Sequence, residues 1–448
     1  MFDTEAPEVM PRPRVLFLNR SYWPDAEATG QLLTELCEDL TGDFDVTVVA
    51  GQPNQNPAGV PFRRWGSETH NGVCIRRVWN SRFPKRFLPG RAVNLFSYLG
   101  NAWLAALRGM RADIVVVETD PPLLCLLGAF LQRRWGVKLV VYLQDIYPDV
   151  AIALGKLPQG RLARWLRRAM YATYRQADRV VVLSRDMERR LIDSGVAPHR
   201  ISRIPNWIDT NQVFPHKESN VFREAYGLDG RFVVMYSGNM GLSQRLEDVL
   251  VAAETLRDRR DVEFVLVGDG ASRRRLEASV RRANLHNVRF LPYQPREQLA
   301  DSLSAADLHL VLLDPRVSSC LMPSKLYGIL ASGTPLVAIA PADCELSELT
   351  RRHCIGEVVP PGDPQALATS ILWCVDHPER LEEMGIAARK LAEGDFDRQK
   401  VTRQFAQMLQ RVLDRDQNPS DLHAPRRPLA SRGPMSPDNN PQVTSIPR

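Results

Sequence analysis

The chain has 448 residues, 44% hydrophobic and 25% charged, with 15 Phe, 10 Tyr and 8 Trp; at roughly 100–200 residues per domain this suits two or three packed domains and excludes a disulfide-stapled miniature fold. Lys and Arg total 58 against 52 Asp and Glu, and the net charge of +6 is dispersed, so nucleic acid is not the expected partner. Seven scattered cysteines with no C-x-x-C pair fit a reducing cytosol.

The N-terminal MFDTEAPEVMPRPR has acids and prolines where a signal peptide needs an apolar core. The longest apolar stretch, Pro121 to Leu131, falls well short of the ~20 residues that span a bilayer. A cytoplasmic protein, at most peripheral on the inner face of the plasma membrane, is expected.

Short β-branched runs, Val15–Asn19, Val46–Ala50, Ile114–Glu118, Leu139–Leu143 and Val180–Leu183, read as buried parallel strands. The segments between them carry helical spacing, as in Leu33, Leu36, Cys37, Leu40 and in Leu162, Trp165, Leu166, Ala169. At Ile204–Asn220 a polar stretch with two prolines interrupts the alternation. It resumes with Phe232–Ser237, Phe264–Gly268, Val288–Pro292, Leu308–Leu313, Pro335–Ala340 and Gly356–Pro360. The pattern predicts an α/β fold of two doubly wound domains in tandem. From about Arg415 the sequence turns Pro-rich with few large apolar residues, the composition of a disordered tail.

Ligands of open α/β sheets bind at the carboxyl ends of the strands, so the residues following each strand carry the chemistry. After the first strand, Thr29 and Gly30 open an amphipathic helix, which reads equally as an anion site or as a simple turn glycine. In the second half, Gly238 and Gly241 form a turn before the helix carried by Leu246, Val249, Leu250 and Ala253, and Arg245 stands at its start, where the helix dipole disfavours a cation. Lys325 repeats this at the helix in MPSKLYGILASG, with Pro323 as a first-turn proline. Two cations at two helix starts point to one bound diphosphate. Gly268, Asp269 and Gly270 follow another strand but match neither G-x-G-x-x-G nor a P-loop. The eight histidines show no ligand spacing, so no metal is expected. Ser184 reads as a helix cap without a nucleophile elbow, and Arg273–Arg275 as a solvated face.

Between Arg82 and Met110, Arg82, Lys85, Arg86 and Arg91 precede a helix whose apolar face is Leu95, Leu99, Trp103 and Ala106. This segment suits an anionic bilayer surface; a core helix with a basic approach loop explains it equally.

The Thr29–Gly30 turn, LSRDMERRLIDSGVAPHRISRIPNWID (Leu183–Asp209), YSGNMG (Tyr236–Gly241), VLVGDG (Val265–Gly270), VRFLPYQPREQLADSLSAADLHLVLL and MPSKLYGILASGTPLVA together resemble the family-4 glycosyltransferases of the GT-B fold, particularly bacterial polysaccharide enzymes of the colanic-acid type. The resemblance covers roughly residues 14–412. It implies two Rossmann-like domains facing a cleft, an acceptor-binding domain over 1–205, a linker over 206–230, a nucleotide-sugar domain over 231–375, crossover helices over 376–412 returning to the first domain, and the tail over 413–448. By position, it places Gly238, Asn239, Arg245, Pro323, Ser324 and Lys325 along a donor diphosphate with Gly268, Asp269 and Gly270 nearby, Tyr293 near the base, and Gly30 opposite. Gln144 and Asp145 are implied at the donor sugar or acceptor.

The implied activity is metal-independent, retaining transfer of a sugar from a nucleoside diphosphate sugar to a polyprenyl-diphosphate-linked glycan at the inner-leaflet surface, with no cofactor. The family often carries two glutamates eight residues apart, and this chain has Cys320 and Gly328 there. A non-catalytic nucleotide-sugar-binding scaffold and a GT-B-like sugar-nucleotide epimerase are the alternatives.

Overall fold

The computed structural model describes residues 12–414, apart from 26, 55, 57–58, 84–87, 109–110 and 242–243. The Pro-rich tail and the candidate membrane residues Lys85 and Arg86 lie outside the described residues.

The first half forms one sheet from β1 (Arg14–Leu18), β2 (Asp45–Ala50), β3 (Gly66–His70), β4 (Val73–Arg77), β5 (Ile114–Val117), β6 (Lys138–Leu143), β7 (Arg179–Val182) and β8 (Ile201–Arg203), in the order β3-β4-β2-β1-β5-β6-β7-β8. Every neighbouring pair is parallel except the β3–β4 hairpin. That hairpin turns on Asn71 and Gly72, both with positive φ, as a primed turn requires. Strands β3, β4 and β8 are additions to the sequence expectation.

Among the described residues, the helices over this sheet are α1 (Ala28–Leu40), α2 (Leu88–Leu107), α3 (Leu124–Trp135), α4 (Asp149–Ala153), α5 (Arg161–Gln176) and α6 (Arg185–Asp193). The chain runs one way across the sheet from β1 to β2 and the other way from β4 to β7, so right-handed crossovers put α1 on one face and α2, α3 and α5 on the other. On that second face Trp103 of α2 meets Phe130 of α3 at 4.7 Å between ring centroids, and α3 packs on α5.

Two helices show which way their apolar stripes point, and the first decides between the two readings of the Arg82–Met110 segment. Leu99 and Trp103 of α2 pack against the core, beside fully buried Tyr98, Ala102 and Ala106; the face read as membrane-directed is the core face. Conversely, Leu162 and Trp165 of α5 are 62% and 59% exposed, and its inward face is Ala163, Met170, Tyr171, Thr173 and Tyr174. Helical spacing reports a stripe, and the neighbouring elements decide which way it points.

The second sheet comprises β9 (Phe232–Ser237), β10 (Val262–Val267), β11 (Val288–Leu291), β12 (Leu308–Leu312), β13 (Leu336–Ile339) and β14 (Gly356–Val359), all parallel in the order β11-β10-β9-β12-β13-β14. Its helices are α7 (Val221–Tyr226), α8 (Leu246–Thr255), α9 (Arg273–Ala283), α10 (Leu299–Ser304), α11 (Lys325–Ala331), α12 (Glu345–Arg352) and α13 (Pro364–Asp376). Phe222 and Leu228 pack with Val233, Met235 and Val265, so the end of the 206–230 stretch adheres to the second sheet. The order reverses between β9 and β12, the topological switch point where α/β sheets bind ligands.

After α14 (Pro378–Asp395), helix α15 (Arg398–Asp414) returns to the first sheet and packs on α1. Arg398 Nη2 lies 2.7 Å from Asp39 Oδ1, and Phe405 packs on Tyr142 with ring centroids 5.2 Å apart. Arg389 braces the crossing by donating to the carbonyls of Thr210, Val213 and Ala331.

Candidate functional site

The turns after β9 and β10 interlock. Gly238 N–H donates to the Val267 carbonyl, Met240 N–H to Asp269, and Ser272 N–H to Met240. Gly268 has φ +136°, and a Cβ there would stand 2.0 Å from the Gly238 carbonyl oxygen; one at Gly270 would stand 2.5 Å from that of Met240. These glycines make room for each other's backbone, a nearer cause than the ligand approach read from sequence. Arg273, read as solvated, donates to the carbonyls of Gly268 and Leu291 and pins the second turn.

Lys325 points its ammonium into this place. Its Nζ stands 3.6 Å above the centre of the Tyr236 ring, and a Cβ on Gly238 would lie 3.2 Å from it. Tyr236 itself is fixed by its hydroxyl, which donates to the Asn239 carbonyl at 2.7 Å. The Lys325 nitrogen is sealed from solvent with no hydrogen-bond partner, and burial lowers it to about 7. Beneath, His309 is fully buried with one ring nitrogen 2.9 Å from the Leu303 carbonyl; burial lowers it to about 4, which keeps it neutral beside the lysine. An unpaired buried cation is costly unless a counter-ion arrives.

Arg245 is half-exposed at the N-cap of α8 with a left-handed backbone, φ +47°. Its Nε sits 3.1 Å from Asp248 Oδ2, so the cation read as misplaced is offset within its own first turn. Pro323 precedes the N-cap residue Ser324 and is outside α11. Tyr293 is half-exposed beside Asp269. Gly30 is buried in the first turn of α1, where a Cβ would stand 3.2 Å from Asp25 Cβ; close packing on the loop after β1 accounts for it.

From the first domain, the loop after β6 reaches across. Gln144 and Asn206 exchange hydrogen bonds at 3.2 and 2.9 Å, and Tyr142 Oη donates to Asn206 Oδ1. Asp145 makes an antiparallel bridge with Leu321, and Ile146 N–H donates to the Cys320 carbonyl at 2.8 Å. The fold thus joins Gln144–Asp145 to the segment leading into Pro323, Ser324 and Lys325. Burial raises the Asp145 carboxyl to about 6, against the pull of Lys156. Cys320 is buried near Asp145, Asp149 and Arg190. Gly328 is buried in α11, where a Cβ would stand 3.1 Å from Leu303 Cδ1.

Two devices went unseen in the sequence. Buried Asp149 receives Arg190 Nη2 at 2.5 Å and Arg167 Nη2 at 3.2 Å, and Arg190 donates on to Ser319 across the cleft; Arg185 and Asp186 add bonds to Glu345 and Glu348. Glu118, the residue after β5, is fully buried, with the Gln144 side chain as its polar neighbour but no hydrogen bond of good geometry to either carboxyl oxygen. Burial pushes it well above the carboxylate range and nearby Asp120 adds to the rise. Above its ordinary 4.5 the unfolded chain gives up this proton while the folded chain holds it, so stability is lost as pH rises. Glu118→Gln is therefore expected to raise the unfolding free energy from urea titration at ~pH 8 by about 1 kcal/mol or more, and to change it little at ~pH 5; equal shifts at both would refute the buried acid.

The residue ranges 28–207 and 218–391 match the family descriptions "Glycosyl transferase 4-like domain" and "Glycosyl transferases group 1". The chain belongs to the family-4 glycosyltransferases of the GT-B fold. It is 29% identical over 409 residues to the Escherichia coli (strain K12) glycosyl transferase WcaI, named for colanic acid biosynthesis, covering 88% of this chain and 98% of that one. It is 32% identical over 270 residues to WbjE of Pseudomonas aeruginosa, named as a glycosyltransferase, covering 59% and 66%. Among solved structures, sucrose-phosphate synthase from Thermosynechococcus elongatus superposes with a TM-score of 0.71 at 18% identity, covering 90% and 99%. Anabaena HepE in complex with UDP and glucose gives 0.69 at 18% identity, covering 89% and 100%. This glycosyltransferase has, among its described residues, no helix long and apolar enough to cross a membrane and no group of three His, Cys, Asp or Glu that could hold a metal ion.

Proposed function

We propose that this glycosyltransferase moves a hexose, with retention and without a metal, from a nucleoside diphosphate sugar to a membrane-borne, polyprenyl-diphosphate-linked glycan on the cytoplasmic side. The observation that carries the donor reading is the buried Lys325 nitrogen, over the Tyr236 ring and without a hydrogen-bond partner, at the Gly238 turn of the switch point. A diphosphate there would recharge and pair it, and the lysine would stabilise charge developing on the leaving phosphate, with Arg245 at the rim. A leaving phosphate oxygen takes the acceptor proton, so no protein base is required. Asp145, held beside Cys320, supplies a carboxylate where the family's first glutamate is missing.

The acceptor reading is supported by a cavity of about 670 Å³ beside the ends of β2 and β4, lined by Trp65, Trp79 and Phe83 with Arg64 and Arg82. Aromatic faces and guanidinium groups together suit an amphiphile carrying sugars and phosphate.

Thermal shift against UDP, GDP, ADP, CMP and their sugars, with a chelator present, tests the donor reading. One nucleoside diphosphate at ~100 times its Kd stabilises by about 2.7 kcal/mol, a rise of roughly 5–10 °C. No rise with any nucleotide overturns it. The scaffold reading rests on Cys320 and Gly328 standing where the family often carries glutamates, and donor binding without transfer or hydrolysis would decide for it.

A further inference from the structure

We infer that the helical layer α2–α3–α5 docks on an anionic lipid bilayer, with the N-terminal half of α5 as its main anchor. This rests on the reading above that the acceptor is membrane-borne, and it moves the contact from the predicted basic loop to a different helix. The sequences of the three helices hold eight arginines (Arg91, Arg133, Arg134, Arg161, Arg164, Arg167, Arg168 and Arg175) and no Asp, Glu or Lys, in a chain where 52 of 448 residues are acidic. Some of these cations are occupied within the fold: Arg167 pairs with Asp149, Arg133 donates to Gln176, and Arg175 donates to the Ser194 carbonyl. Arg161, Arg164 and Arg168 are exposed and form no ion pair among the described residues. Arg161 and Arg164 stand in the first turn of α5, where the helix dipole disfavours them.

Between them project Leu162 and Trp165, and the same layer exposes Val93, Phe96, Leu104 and Leu107 of α2, with Phe96 62% exposed. On α5 itself, exposed Leu162 and Trp165 are flanked by exposed Arg161, Arg164 and Arg168, and apolar side chains rimmed by cations mark an interaction surface. The occupant follows from both features. A second copy of this acid-free face would repel it, and aliphatic Val and Leu offer nothing to stacked bases, whereas cations flanking Leu, Phe and Trp match headgroups over acyl chains. Helices α2 and α5 both start at the carboxyl ends of their strands, the cleft side, so docking this layer brings the cleft mouth to the headgroups.

Co-sedimentation of the full chain with phosphatidylglycerol–phosphatidylethanolamine vesicles, against phosphatidylcholine vesicles, tests this. Binding is expected to the first, falling steeply with salt. The triple variant Arg161→Gln, Arg164→Gln, Arg168→Gln should partition ~100-fold more weakly, roughly fivefold per charge, and Trp165→Ala about tenfold more weakly. Both should keep the wild-type melting temperature and nucleotide-induced shift. Equal binding to both vesicle types, or a triple variant that partitions like wild type, overturns the inference, as does capture by single-stranded RNA with none by vesicles. Loss of the nucleotide shift in wild type would strike the donor reading alone.

Discussion

Lys325→Ala is expected to lower kcat by ~10²–10³-fold, the size of effect seen when a preorganised charge stabiliser is removed from a dry site, while the protein stays folded. Tyr236 and Gly238 hold the ammonium in a place with no other partner. The control is Lys325→Met, which fills the space without charge. It should melt higher than wild type at neutral pH, because an unpaired buried cation is gone, yet be as inactive as the alanine variant.

The pH dependence follows from the lowered value of about 7 against an ordinary 10.5. Between these the unfolded chain binds the proton and the folded chain does not, so the lysine makes stability rise with pH across that window; Lys325→Met should lose that rise. Nucleotide binding at ~pH 8 should take up about one proton, read as a buffer-dependent calorimetric enthalpy. Turnover near wild type in Lys325→Ala would remove this residue from the reaction.

Gly268→Ala is the substitution expected to damage the fold most within the site. The new methyl would stand 2.0 Å from the Gly238 carbonyl oxygen, and the backbone at φ +136° is one that L residues rarely adopt. Neither side can yield without breaking the bonds that join the two turns, Gly238 N–H to Val267 and Met240 N–H to Asp269. Clash and strain together should cost about 4 kcal/mol or more, abolishing nucleotide-induced stabilisation and lowering the melting temperature. Gly42 is the comparison: a Cβ there meets nothing within 4 Å, and Gly42→Ala should change little. A Gly268→Ala protein as stable as wild type would show that the turns can separate.

Local pattern determined much of this protein. Buried strands announced themselves by β-branched runs because a parallel strand covered on both faces has no polar side to show, and the break near Ile204–Asn220 precedes the second sheet. The β3–β4 hairpin carried its signal in Asn71-Gly72, unread because one flank, GSETH, holds no large apolar residue. Motif positions brought Gly238, Ser324 and Lys325 to attention, and the family resemblance followed.

Tertiary structure alone decided how those residues act on each other. Whether a lysine is solvated or sealed over a tyrosine ring depends on β9 and α11 meeting across nearly ninety positions of chain, which no local spacing encodes. The same holds for Asp145 reaching Leu321, Asp149 receiving Arg190, and Glu118 buried beside Gln144. It holds for the direction of an apolar stripe: Trp103 and Trp165 have alike helical spacing, and only the neighbours that each helix meets turn one inward and leave the other in the open. Sequence periodicity fixes which side chains share a face; the burial and charge of that face are properties of everything packed around it.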